Sequence, residues 1–149
     1  MVNRKYLFWI IAACVIALDQ ITKAIVRATI ATSGPVTIIP KALSFTYVLN
    51  TGAGFGLLQG QNILLMLVAL IAIIAIILSL RKILENQHHV VGAALILGGA
   101  AGNLIDRVLY KAVTDFITLP LWPSFNIADS ALTIGVLILL WQSFREQEK

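Results

Sequence analysis

Four apolar stretches, separated by polar connections of unequal length, set the pattern of this chain: Tyr6 to Leu18, Ile63 to Leu80, Val90 to Ile105 and Ile127 to Trp141. Only Ile63 to Leu80 is nearly unbroken, with Ser79 as its one polar residue, and it approaches the ~20 residues that a membrane-crossing helix needs. The other three reach that length only when polar residues at one end are counted in: Asp19 for the first, Asn103 and Asp106 for the third, Asp129 for the fourth. The pattern predicts four transmembrane helices, at about residues 6–26, 63–80, 89–106 and 127–143, within a single domain spanning 1–149. An even number of spans places both termini on one side. Arg4, Lys5, Arg81, Lys82, Arg145 and Lys149 then mark that side as cytoplasmic, against Lys23, Arg27, Lys41, Arg107 and Lys111 on the other.

The outer connections carry a different period. Ser44 to Leu49 alternates polar and apolar positions, as a half-buried strand does, and runs into the glycine-rich turn Asn50-Thr51-Gly52-Ala53-Gly54-Phe55-Gly56. Val113 to Ile117 predicts a second short strand, ended by Pro120 and Pro123. The fold class expected is therefore a mainly α membrane protein, with four transmembrane helices and a small extracytoplasmic β-sheet cradle resting on the membrane. The inner loop, residues 81–89, is short and polar, and His88 and His89 read as solvated loop residues.

Composition agrees with lipid as the solvent: 59% of residues are hydrophobic, 12% are charged, and the mean hydropathy is +0.92. The net charge of +4 comes from eleven Lys and Arg residues scattered in ones and twos, which excludes a nucleic-acid-binding face. Cys14 is the single cysteine and can form no internal disulfide. The run Ile11-Ala12-Ala13-Cys14 mimics a lipoprotein processing site, but Tyr6 to Ile10 is too short for the apolar region of a signal peptide, so the first helix is expected to be retained.

The candidate chemistry lies in the acidic residues. At about 1.5 Å per helical residue, Asp129 stands roughly 24 Å from Arg145 and Asp19 roughly 21 Å from Lys5, both inside a hydrocarbon slab of about 30 Å. On the same scale Asn103 and Asp106 lie at roughly 21 and 25 Å from His89. Ionisable groups at such depth are costly and usually functional. Asp129 also reads as part of a helix start, with Asn126 as the N-cap. Asp115 on an extended segment would share an apolar face with Val113 and Ile117. Two carboxylates brought close share one proton, so one serves as base and the other as acid, which is the division that peptide hydrolysis needs. The positive end of a helix at Asn126 favours Asp129 as the initial base.

Asp19 and Lys23, four residues apart, could form an ion pair at the interface, either structural or in contact with substrate. Gly99, Asn103 and Arg107 repeat at the same interval, although Gly98, Gly99 and Gly102 also read as packing residues. Without His or Cys near the carboxylates, a zinc site is not expected. A small transporter or proton channel would need a polar path that the second helix lacks. A non-catalytic scaffold built on Asp19/Lys23 and Asp106/Arg107 leaves Asp115 and Asp129 unexplained.

Together the motifs resemble those of the lipoprotein signal peptidase (signal peptidase II) family, in five ordered blocks along nearly the whole chain. These are Asp19-Gln20-Ile21-Thr22-Lys23, the glycine-rich turn from Asn50 to Gly56, Gly98 to Arg107, Val113-Thr114-Asp115-Phe116 and Phe125-Asn126-Ile127-Ala128-Asp129. The resemblance implies a bacterial inner-membrane aspartic endopeptidase that cleaves diacylglyceryl-modified prolipoproteins before the lipidated cysteine, near the outer membrane surface. It implies Asp115 and Asp129 as the catalytic pair, with Asp19, Lys23, Asn50, Gly52, Gly99, Asn103, Asp106, Arg107 and Asn126 shaping or supporting the cleft. It implies no metal, no cofactor and no obligatory protein partner. Membrane lipids are expected around the helices, and inhibitors such as globomycin are expected in the same cleft. Two features depart from the pattern: Gly54 stands where Ala or Ser is expected, and the connection between Asp115 and Asp129 is compact.

Overall fold

A computed structural model describes residues 3–53 and 57–147 of the chain. Helix α1, Arg4–Ala28, starts at Asn3, whose side chain accepts a hydrogen bond from the Lys5 N–H. A single turn, α2 (Ile30–Ser33), follows and closes at Gly34, whose φ of 86° suits glycine. The chain then forms β1 (Val36–Ile39), β2 (Leu43–Asn50), α3 (Asn62–Leu78), α4 (Leu80–Ile83), α5 (Gln87–Tyr110), β3 (Val113–Leu119), β4 (Trp122–Phe125) and α6 (Ile127–Gln147).

Helix α5 is the hub on which α1, α3 and α6 pack. Its small residues allow this. A Cβ at Gly98 would stand 2.7 Å from the Val15 Cβ of α1, and one at Gly92 would stand 3.0 Å from the Gly135 carbonyl oxygen of α6. At one end of the bundle Phe8, Ala12, Val90, Ala93, Ala94 and Leu97 form a buried cluster. Arg4 fastens that end by donating to the carbonyl oxygens of Leu84 and Glu85. By contrast no side chain of α3 is buried, and Ile63 and Leu78 are 75% and 82% exposed, as a lipid-facing helix would be.

Three helices among the described residues are long and apolar enough to cross a membrane: α1 with α2, α5, and α6. The run that reads most cleanly in the sequence makes a shorter helix. Ser79 ends α3 after 17 residues, about 26 Å at the helical rise, and α4 follows as a separate turn. A further correction concerns the inner connection, because α5 already begins at Gln87 and places His88 and His89 in its first turn instead of a loop. The His88 side chain lies outside the described residues, as do Gly54, Phe55 and Gly56 of the glycine-rich turn.

The four strands form one antiparallel sheet in the order β1-β2-β3-β4. Pairing of β2 with β3 sets Val48 opposite Asp115, and so joins the two long connections at the end of the bundle. Val26 near the end of α1 and Ile30 at the start of α2 pack against Phe116 of β3, so residues 113–116 are buried on both faces and not on one. Ile117 packs with that cluster, which leaves Val113 as the residue sharing the cavity wall with Asp115. β3 ends at Leu119, immediately before Pro120, as the sequence suggests, but Pro123 does not stay outside the sheet. It lies within β4, an edge strand with one side free of ladder bonds, where its missing N–H is tolerated.

Candidate active site

The start of α6 satisfies its own free N–H groups through a reciprocal cap. Asn126 Oδ1 accepts from the Asp129 N–H at 2.9 Å, and Asp129 Oδ2 accepts from the Asn126 N–H at 3.2 Å. The structural reading of Asp129 as part of a helix start is thus correct but incomplete. Its other oxygen, Oδ1, accepts from Asn103 Nδ2 of α5 at 2.7 Å. The fully buried amide of Asn126 faces the opposite way as well, donating to Asp115 Oδ1 at 2.7 Å and to Asn103 Oδ1 at 3.2 Å. One asparagine therefore holds both carboxylates.

Asp115 reaches this point from β3, and its second oxygen accepts from Asn50 Nδ2 of β2 at 2.9 Å. Burial pushes its carboxyl up to about 7, reinforced by the nearby Asp129 charge, while the hydrogen bonds from Asn50 and Asn126 and the charge of Lys23 pull the other way. Asp115 and Asp129 open onto one cavity of about 610 Å³, bounded by α3, α5, α6 and β4. Leu65, Val68 and Ala72 of α3 and Leu132 of α6 make much of its wall apolar.

Behind the pair, α1 supplies a charged support. Lys23 Nζ lies 2.8 Å from Asp19 Oδ2 and 3.6 Å from Asp106 Oδ2, and donates to Asn103 Oδ1 at 2.9 Å. Lys23 and Asp19 are both fully buried, so their pairing lies inside the protein. Asp19 Oδ1 also accepts from the Ala128 N–H at 3.0 Å, so a carboxylate from α1 satisfies a donor in the first turn of α6. Glycine is required where these helices meet: a Cβ at Gly102 would come within 2.6 Å of Asp19 Oδ2, and one at Gly99 would strike the Ala128 carbonyl oxygen.

Asp106 anchors β3 by accepting from the Thr114 N–H at 2.9 Å, immediately before Asp115. Arg107 lines the cavity and donates through Nη2 to the Gly52 carbonyl oxygen at 3.0 Å, which holds the glycine-rich turn in place. Gly52 is tight in turn, since a Cβ there would lie 2.5 Å from the Leu57 carbonyl oxygen. All eleven residues singled out in the sequence thus lie in the cluster around the cavity.

Sequence reasoning missed three supporting residues. Gln20 Nε2 bridges Asp19 Oδ2 and Asp106 Oδ1, at 3.1 and 3.2 Å. Arg27 Nη1 donates to Thr114 Oγ1 at 3.0 Å, and its guanidinium stacks 4.4 Å from the Tyr110 ring centroid. Asp19, Lys23 and Arg27 recur every four residues on one face of α1, and that periodicity was the available signal for Arg27. Gln20 and Thr114 stand inside two of the five blocks, but no periodicity marks them as site residues.

The cluster sets four carboxyl groups, Asp19, Asp106, Asp115 and Asp129, against three basic side chains, Lys23, Arg27 and Arg107, an acidic excess that favours retention of a proton. A proton held on Asp115 near neutral pH agrees with that excess.

Known proteins share this architecture. A family model described as signal peptidase (SPase) II matches residues 11–145. The lipoprotein signal peptidase of Geobacillus thermodenitrificans is 42% identical over 146 residues, covering 95% of this chain and 91% of that protein. That of Pelotomaculum thermopropionicum is 37% identical over 142 residues, covering 95% and 93%. A solved structure described as a bacterial membrane enzyme superimposes with a TM-score of 0.85 at 35% identity, covering 93% of this chain and 87% of that one. With the match running from α1 to α6, the chain belongs to the signal peptidase II family of membrane peptidases.

Proposed function

We propose that this protein removes signal peptides from diacylglyceryl-modified prolipoproteins, cutting before the lipidated cysteine, with Asp115 and Asp129 as the catalytic pair. The observation that carries the reading is their arrangement: two carboxylates from separate segments, held by one asparagine, on a cavity with largely apolar walls. Asp129, at the positive end of α6, takes a proton from water as the water attacks the scissile carbonyl. Asp115, holding its proton near neutral pH, donates to the carbonyl oxygen as it gains charge. Collapse of the tetrahedral intermediate breaks the C–N bond, the leaving amine takes up a proton, and the new carboxyl group remains on the signal peptide. No covalent enzyme intermediate is needed.

The site suits a lipidated substrate because α3 and α6 both pack on α5 and leave a groove between them, so an acyl chain enters sideways from the bilayer. Four spans, with α3 and α4 together forming the second, put both termini in the cytoplasm and the carboxylates near the outer leaflet of the bacterial cytoplasmic membrane. In support, Asp129 is the third residue of α6, whereas Arg145 lies near its other end. The single-domain reading draws support from the polar network, in which α1, α5, α6 and the sheet share side-chain contacts. Globomycin is expected to compete for this groove.

The direct test is to incubate the purified protein with matched prolipoprotein peptides that differ only in the diacylglyceryl group. Cleavage before the modified cysteine alone is expected. Equal cleavage of both peptides, or of neither, would overturn the substrate assignment.

The proton on Asp115 also fixes a pH dependence. As pH rises through about 7 Asp115 ionises, the acid is lost and kcat/KM falls. Asn50 Nδ2 favours the ionised form, so Asn50→Ala destabilises it and should move this alkaline limb to higher pH. A pH–rate profile checks the sign, and a limb that stays in place or moves down would remove Asn50 and Asp115 from these roles.

A further inference from the structure

The turn between β3 and β4 carries an exposed apolar tip. Leu121 is 103% exposed and Trp122 is 56% exposed. Leu121 also has φ of 61°, a left-handed conformation that Gly or Asn adopts more readily, so the turn itself does not account for a leucine there. Position supplies the missing reason. Trp122 lines the same cavity as Leu65 and Val68 of α3 and Ile134 of α6, all within roughly 12 Å of the starts of their helices. Through Trp122 the tip therefore borders the cavity that these helices wall, near their apolar starts. Near those starts Ile63, Leu64 and Leu67 of α3 are also uncovered.

We propose that the β3–β4 tip, Leu121 with Trp122, is immersed in the acyl chains of surrounding phospholipid and forms a lipid-embedded rim of the cavity mouth. Tryptophan suits the boundary between headgroup and hydrocarbon, and leucine suits the hydrocarbon itself. Immersion would also steady β4, which leads directly to Asn126 and the start of α6. That the rim borders the entry for a lipidated substrate rests on the proposed function, whereas the immersion does not.

The chain has three tryptophans, Trp9, Trp122 and Trp141, so Trp9→Phe with Trp141→Phe leaves Trp122 as the sole emitter. The full chain, reconstituted in phosphatidylcholine vesicles, should lose most of its Trp122 emission to lipids brominated near the glycerol end of the chain. It should lose less to lipids brominated near the methyl end, and little to aqueous iodide. Iodide quenching without bromolipid quenching would overturn the proposal in favour of a water-exposed tip. Resistance to both quenchers would overturn it in favour of a protein-covered tip, such as a contact between two copies.

Leu121→Asn keeps a residue suited to the turn. It should shift Trp122 towards iodide, and raise KM for a lipidated peptide severalfold in vesicles but not in detergent micelles. An unchanged quenching pattern would remove Leu121 from the anchor. Because the quenching requires no catalysis, its outcome is separable from a failure of the proteolytic reading.

Discussion

Asp129→Asn and Asp115→Asn are each expected to reduce cleavage of a lipidated prolipoprotein peptide by roughly 10³-fold or more, the scale on which a positioned acid or base accelerates proton transfer. The two variants fail for different reasons. Asn at 129 cannot take the proton from water, and Asn at 115 cannot deliver one to the carbonyl oxygen. Each also disturbs a hydrogen bond, because both oxygens of both carboxylates accept: Asp129 from Asn103 and from the Asn126 backbone, Asp115 from Asn50 and the Asn126 side chain. An amide can offer only one acceptor oxygen, so one partner is left facing an NH₂ group at a cost of about 1–3 kcal/mol. Thermal unfolding in detergent, run beside the cleavage assay, separates the two effects. A modest drop in midpoint with cleavage abolished supports the catalytic assignment, and cleavage retained in either variant removes that residue from it.

How far the site could be read in the sequence depends on the range of the interaction. The cap from Asn126 to Asp129 is local, and its spacing alone exposes it. So is the face shared by Asp19 and Lys23. What four-residue spacing cannot reveal is depth: an exposed pair and one with both groups fully buried look identical in sequence, and the difference arises only because Gly98, Gly99 and Gly102 draw α1 and α6 tightly onto α5. The double role of Asn126 is likewise hidden, since its contact with Asp115 depends on β3 being anchored through Thr114 to Asp106. At α3 the apolar pattern overstates the helix. A serine in an apolar run costs hydropathy almost nothing, yet at Ser79 the backbone turns to ψ of 0° and the helix stops. The sheet was legible as two strands only. Val36–Ile39 and Trp122–Phe125 are four-residue edge strands, too short for a period, and the second contains a proline.

Lys23→Met tests the support behind the pair, and its expected effect on the fold is the largest of any substitution considered. The ammonium is fully buried, 2.8 Å from Asp19 and within 3.6 Å of Asp106, and it donates to Asn103 Oδ1. Methionine fills much of the same volume, so the loss is mainly one of charge. Removing one partner of a buried ionic cluster costs about 3–5 kcal/mol, a large share of the roughly 5–15 kcal/mol that holds a typical domain together. The cluster would then set four carboxyl groups against two basic side chains. Asn103 would also lose the charge that holds its oxygen away from Asp129, leaving only the Asn126 amide to orient it. Both the unfolding midpoint and the cleavage rate should therefore fall. Adding Asp19→Asn to Lys23→Met removes a stranded carboxylate and should recover part of the midpoint, while cleavage stays low because Asn103 remains loosely oriented. A single variant as stable and as active as the parent would show that Lys23 neither balances the buried carboxylates nor orients the amide that faces Asp129.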